Sequence, residues 1–315
     1  MCTGIRLTAK NGNIVYGRTM EFGQPTESNI IVIPRNYSLA GESTPWRARY
    51  AAVGANMLGI NHLVDGVNEK GLAGGLFYFP GYAGYQEVAS AQEKTILAPW
   101  ELLTWILTNF SHIDQVRESL PSIKVANTIF KAWGITPPVH AIIHDNTGKS
   151  LVIEYVNGTL HMHDADSGII TNSPTYDWHI TNLKNYTHIT PYNSQKPSFG
   201  QGSGMLGLPG DFTPPSRFVR AFFFSQSVLE SATAHEARDT AFHILNLFNI
   251  PLGIIREKTQ DEEYCDYTQW TSVCDLSQPS YYWHTYNNPE VQMADLTKAQ
   301  LDAQEIVTLA MNVKR

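Results

Sequence analysis

Short apolar runs separated by tight-turn signals recur along this chain, and their order restricts the fold more than any other feature. Residues 3–9 alternate, Asn11-Gly12-Asn13 is a turn, and residues 14–18 return, so the chain opens with a β-hairpin. Residues 30–33 and 50–53 read as further strands. Residues 72–79 are rich in Gly and aromatics, as in a strand that another group approaches closely. Residues 139–143, 150–155, 159–163 and 169–172 read as a meander. Its turns are Asp145-Asn146-Thr147-Gly148, Asn157-Gly158 and residues 164–168. Residues 281–286 and 291–294 read as a last hairpin.

Helical patterns are fewer. Residues 100–110 follow Pro99 and are apolar nearly all round, which predicts a buried helix. Residues 216–229 and 234–248 are consecutive helical patterns after Pro214-Pro215. No βαβ alternation is visible, so the expectation is an α+β layered fold with mostly antiparallel sheets. No linker interrupts the pattern, which predicts one domain over residues 1–315. Lys plus Arg is 22 against 29 Asp plus Glu, a balance that argues against nucleic acid and anionic membrane surfaces. No run of 18 apolar residues exists, so no membrane span is expected. Arg6, Lys10 and Asn11 interrupt any signal-peptide core. A cytoplasmic location is therefore expected, or a periplasmic or secreted one if a leader has been removed. Charged residues are only 16% of the chain, against roughly 25% in an average domain. Surface is then supplied by uncharged polar residues or hidden in subunit contacts, which leans towards an oligomer.

The chemistry centres on Cys2. Loss of Met1 would leave a thiol and an α-amine on one residue. An α-amine has a reference pKa of about 7.7–8.0 and a thiol about 8.5, so the amine can act as base for its own sulfur. A single Cys is more often a small buried hydrophobe. The neighbours add weight, because the hairpin folds Arg18 beside Cys2, where a guanidinium would favour the thiolate. Glu21, three residues on, could accept a hydrogen bond from the protonated amine, although a solvated ion pair at a hairpin end would look the same. Arg217 falls in the first turn of a helix, where it opposes the dipole and needs a nearby anion. Asn172 sits in Thr171-Asn172-Ser173-Pro174, where its amide could serve an oxyanion or merely a turn. His161 and His163 would share a strand face, with no third ligand at a metal-site spacing. No metal or organic cofactor is called for.

These residues carry a family resemblance. Met1-Cys2-Thr3-Gly4 and Gly17-Arg18-Thr19-Met20-Glu21 resemble the choloylglycine hydrolase family, which contains conjugated bile acid hydrolases and penicillin V acylases. So do Asp65-Gly66-Val67-Asn68-Glu69-Lys70-Gly71-Leu72, the stretch from Thr171 to His179, the stretch from Gly207 to Pro214, and Tyr267-Thr268-Gln269-Trp270-Thr271-Ser272. The blocks run in family order over almost the whole chain. The resemblance implies an N-terminal-nucleophile αββα sandwich, two antiparallel sheets between helical layers. It implies hydrolysis of a linear amide of a small-molecule substrate by Cys2 without a cofactor, and a homotetramer. Arg18 and Arg217 match arginines lining the nucleophile, Asn172 the oxyanion amide, and Tyr78 the position whose backbone N–H completes that hole.

Two positions depart from the common pattern. Glu21 stands where the family usually has Asp. Position 78 is Tyr, as in penicillin V acylases, where bile acid hydrolases tend to have Asn. An aromatic face suits aromatic or fatty acyl groups better than a polar head does. Met20, Phe22, Tyr82 and Trp133 are candidates for an apolar acyl pocket, with ordinary core packing the plainer role for Trp133. Penicillin V, glycine or taurine conjugates of bile acids, and N-acyl homoserine lactones all remain open as substrates. So does a catalytically silent binding protein on the same scaffold.

Overall fold

The computed structural model describes residues 1–88, 95–195, 201–258 and 262–311. The opening hairpin is β1 (Cys2–Thr8) and β2 (Ile14–Phe22), paired with Cys2 opposite Met20. Gly12, at φ 83°, supplies the left-handed residue that reverses the chain between them. The second sheet is built from β3 (Asn29–Ile33), β4 (Ala52–Ala55), β5 (Asp65–Asn68), β6 (Ala73–Tyr78), β7 (Val139–His144), β8 (Ser150–Val156) and β9 (Thr159–Asp164). The first sheet continues with β10 (Ile255–Lys258), β11 (Glu263–Asp275), β12 (Ser280–Thr285) and β13 (Asn288–Asp295). A last strand, β14 (Val307–Ala310), returns to the edge of the second sheet at β3.

The first sheet runs β1-β2-β11-β12-β13, with β10 paired to the beginning of β11; the second runs β9-β8-β7-β6-β5-β4-β3-β14. All these pairings are antiparallel. Among the described residues, five α-helices cover the two outer faces. α1 (Leu102–Asn109) and α2 (Ile113–Ser119) pack on the second sheet; α3 (Tyr176–Leu183) leans on α4 (Pro214–Ser227), and α4 with α5 (Ala234–Asn246) packs on the first. The result is the expected αββα sandwich.

Strand alternation explains the layering. On β6, Phe77 faces the first sheet and joins Ile5, Val15 and Val67 in the inner core, while Leu76 faces the helices with Leu103, Ile106 and Val116. Seven of the eight α1 residues are buried, as its all-round apolar pattern requires. Among the described residues, no helix is long and apolar enough to cross a membrane.

One sequence expectation needs correction, and two elements show no legible pattern in the sequence. Residues 169–172 are not a fourth meander strand. Gly168, at φ 68°, turns the chain off β9, and Ile170 instead bridges to Gly4 of β1, joining the two sheets. The bridge is close: a Cβ on Gly4 would lie 2.7 Å from the Phe77 ring. The first of the two elements is β11, which holds the centre of the first sheet. A bulge between Thr268 and Trp270 breaks its alternation. The second is α3, whose polar face hides the helical period behind Pro174.

Candidate active site

Cys2 begins β1 at the inner face of the first sheet, with 3% of its surface exposed. Register places Met20 opposite it and Arg18 two residues along β2, so both side chains share its face. Arg18 Nη2 donates to Cys2 Sγ at 2.8 Å. The rest of the fully buried guanidinium donates to the carbonyls of Leu76 (2.6 Å), Val64 and Thr19, and lies 4.2 Å over the Phe77 ring. Burial alone would lower its pKa, yet charge at Cys2, Tyr16 and Asp65 holds it above its ordinary value.

Asp65 is the residue that sequence reasoning passed over. It is fully buried and accepts hydrogen bonds from Tyr16 (2.8 Å), Ser272 (2.6 Å) and Tyr281 (2.8 Å). Burial pushes its carboxyl up, while the Arg18 charge and the three hydroxyls pull it back. It stood in plain view within Asp65-Gly66-Val67-Asn68, but an acid in an otherwise glycine and apolar strand was assigned no role. Gly75 is the close-approach glycine of β6: a Cβ there would collide with the Tyr16 hydroxyl that serves Asp65.

On the other face of β2, alternation aims Thr19 and Glu21 toward the helices. The Glu21 carboxylate accepts from Thr268 Oγ1 at 2.9 Å, and its Oε2 is buried without a hydrogen-bond partner. Burial raises its pKa against the pull of Arg217 and the N-terminal ammonium. It does not meet the Cys2 nitrogen, because it points to the opposite side of the sheet from the thiol. That nitrogen donates instead to Asn172 Oδ1 at 2.8 Å. Arg217, fully buried in the first turn of α4, donates to the same Oδ1 at 2.6 Å, to Thr3 Oγ1 at 2.9 Å, to Phe212 O and to the Cys2 carbonyl. The anion that its place in the helix demanded is supplied by Glu21 and Cys2, which oppose the lowering of its pKa by burial.

Two donors at Oδ1 fix the orientation of the Asn172 amide, whose Nδ2 donates to the Tyr78 carbonyl at 2.7 Å. The segment is braced from behind. His179 Nε2 bonds the Asn172 carbonyl at 2.9 Å, and His140 Nε2 lies 3.2 Å from the Thr171 carbonyl. Glu154 meets His140 Nδ1 at 3.0 Å and accepts from Tyr176 N–H. Despite burial, hydrogen bonds from His140 and His163 hold Glu154 down at about 2.

Cys2 opens onto an apolar slot lined by Met20, Phe22, Met57, Tyr78, Phe130 and Trp133, among others. Trp133 is therefore a wall rather than core, stacked on Phe22 at 5.4 Å. Tyr82 is not part of this wall; it is 42% exposed and stacks on Phe79, beyond the end of β6. The slot has about 60 Å³ open to water-sized atoms, against about 460 Å³ in an adjoining, more polar cleft that holds Met1, Gln24, Asn172, Glu257, Tyr264 and Asp266. Met1 extends the β1–β2 ladder by one pair. Its ammonium donates to the Glu21 carbonyl at 2.6 Å, and its carbonyl accepts from Glu21 N–H at 2.9 Å. His161 and His163 stack on β9 with centroids 6.4 Å apart, His163 beside Glu154. No group of three metal-ligating side chains occurs among the described residues.

The chain resembles known proteins over its whole length. It is 35% identical to a bile salt hydrolase/transferase of Clostridium perfringens over 99% of this chain and 97% of that one. It is 26% identical to a penicillin V acylase of Pectobacterium atrosepticum, over 90% of this chain and 77% of that one. A crystallised variant of conjugated bile acid hydrolase from Clostridium perfringens superposes with a TM-score of 0.88 at 34% identity, covering 99% and 97% of the two chains. Residues 2–309 match the profile of the linear amide C–N hydrolases, choloylglycine hydrolase family. The chain belongs to that family, and so to the hydrolases of linear carbon–nitrogen amide bonds.

Proposed function

We propose that the chain hydrolyses small-molecule N-acyl amides with an apolar acyl group, using Cys2 as an N-terminal nucleophile after loss of Met1. The observation that carries this is the 2.8 Å contact from Arg18 Nη2 to Cys2 Sγ at the floor of an apolar slot. A charged N–H aimed at sulfur stabilises negative charge there. The freed α-amine takes the thiol proton, and sulfur attacks the amide carbonyl. One Asn172 N–H is held by Tyr78 O; its second faces the oxyanion together with Tyr78 N–H. Strand geometry supports the latter. Phe79 N–H bonds Pro138 in the β7 direction and Leu76 N–H bonds Val64 in the β5 direction. Tyr78 N–H thus points as Leu76 does, past the start of β5. The α-ammonium then protonates the departing amine, and water, activated by the amine, cleaves the thioester to return thiol and acid. Arg217 and Asn172 position the Cys2 main chain, and Glu21 offsets the Arg217 charge.

The narrow, aromatic slot favours a flat aromatic or a slender fatty acyl group. The 35% identical bile salt hydrolase supports a second reading, a steroid acyl group. Ethanolamides of phenoxyacetic, decanoic and cholic acid, followed by mass spectrometry, separate the two. The expected kcat/KM order puts phenoxyacetyl and decanoyl above cholyl, and a cholyl preference would reverse it. Intact mass is expected to show loss of Met1. Cys2→Ala and Cys2→Ser are expected to lower turnover at least a thousandfold with the fold retained, because either change alters a single heavy atom of one small side chain. Activity surviving either change would refute the role of Cys2. Homotetramer formation belongs to the same proposal, and light scattering at four times the 35.2 kDa chain mass is its expected sign.

A further inference from the structure

We propose that the amine half of the substrate is cationic. This rests on the hydrolysis proposed at Cys2 and adds the charge of the leaving group. Cys2 lines the apolar slot, and the polar cleft shares Phe22, Tyr78 and Trp133 with that slot and has Met1 and Asn172, both bonded or adjacent to Cys2, on its wall. The apolar slot takes the acyl group. The leaving amine receives its proton from the Cys2 nitrogen, so it departs on the side where that nitrogen's present substituent, Met1, lies. Met1 lies in the polar cleft. The cleft is therefore a substrate site on grounds independent of its charge.

Its charge is one-sided. Glu257 of β10 and Asp266 of β11 lie on its wall, and no Lys, Arg or His is among the described residues lining it. Both carboxylates act on the site: after burial, they are what pushes the Tyr78 hydroxyl pKa up. Asp266 reaches the wall because residue 23 is Gly; a Cβ there would come within 3.1 Å of Asp266 Oδ1. Lys131, beside Ala132, is exposed; three other neighbouring cations are directed elsewhere. Arg256 bonds Glu263 at 3.2 Å and the Gly253 carbonyl. Lys258 follows Glu257 along β10 and so projects from the opposite face. Arg217 lies buried with its N–H groups on Cys2, Thr3, Asn172 and Phe212.

A glycine or taurine conjugate would bring a carboxylate or sulfonate into this cleft, and like charges placed together disfavour binding. The carboxylate of penicillin V would suffer the same repulsion. A monoacylated diamine or guanidinoamine places its second, charged nitrogen against Glu257 and Asp266. Gln24 and Tyr264 offer further polar contacts.

The test compares phenoxyacetyl amides of putrescine, agmatine, ethanolamine, glycine and taurine on the Met1-free protein. The putrescine and agmatine amides are expected to exceed the glycine and taurine amides at least tenfold in kcat/KM, with the gap narrowing in 1 M NaCl. Glu257→Lys, and separately Glu257→Gln with Asp266→Asn, are expected to lower that ratio at least fivefold. Glu257 is exposed on an edge strand, so its replacement does not threaten the fold. Preference for the glycine or taurine amide, or a ratio unmoved by both variants, overturns the assignment while leaving Cys2 hydrolysis standing. If even the ethanolamide is untouched, the hydrolysis itself fails and the charge assignment falls with it.

Discussion

Arg18 can sit uncharged by no ordinary means, so its full burial demands partners, and Asp65 is the anion among them. The carboxylate is tied by three hydroxyls and faces the guanidinium electrostatically rather than through a direct hydrogen bond. An amide in its place would offer N–H groups to hydroxyls that now donate, leaving at least one of them unpaired. Asp65→Asn is therefore expected to cost about 2–4 kcal/mol of stability in urea unfolding, and Tyr16→Phe about 1 kcal/mol. An Asp65→Asn protein as stable as the parent would show the network to be dispensable. Arg18 and Cys2 were legible in sequence because a two-residue period and one turn fix their faces. Asp65 was not, since its partners Ser272 and Tyr281 lie more than 200 residues away. The Glu21 contact failed for a readable reason: an even separation from Cys2's partner was needed, and position 21 is one off.

At the level of elements, the decisive contact is between the sheets at Gly4. Its bridge to Ile170 carries the Thr171-Asn172 segment from the end of the meander to the start of β1, where Asn172 meets Cys2. Gly4→Ala would drive a methyl into Phe77 and Ile170, and is expected to destabilise by about 2–3 kcal/mol. Since the same shift moves Asn172, kcat should fall further than the lost stability explains; retained kcat would separate the bridge from the site. The β6–β9 region was legible because turns such as Asn157-Gly158, both at positive φ, punctuate clean alternation. β11 was hidden by its bulge, and the 169–172 run by a period that says nothing about which sheet a strand joins.

For the molecule as a whole, acid is the weak side. Burial lowers His62 and His179 to about 4 from an ordinary value near 6.5. The unfolded chain therefore binds their protons first as pH falls, and stability drops between pH 6.5 and 4, by on the order of 3 kcal/mol for each. Glu154, held near 2, adds a loss below pH 4.5, while Asp65 and Glu21, raised by burial, work in the opposite sense. The urea midpoint is expected to fall steadily from pH 7 to 4, and His62→Asn to flatten that slope. We propose that residues 1–315 unfold as one cooperative unit, so near- and far-ultraviolet circular dichroism should give coincident transitions. Met1 adds a consequence of its own. Its two main-chain bonds to Glu21 complete a rung that the proposed loss of Met1 would break, so the processed chain is expected to be the looser form. At about 1 kcal/mol per bond, trimming a single residue should lower the melting temperature by a few degrees while switching turnover on.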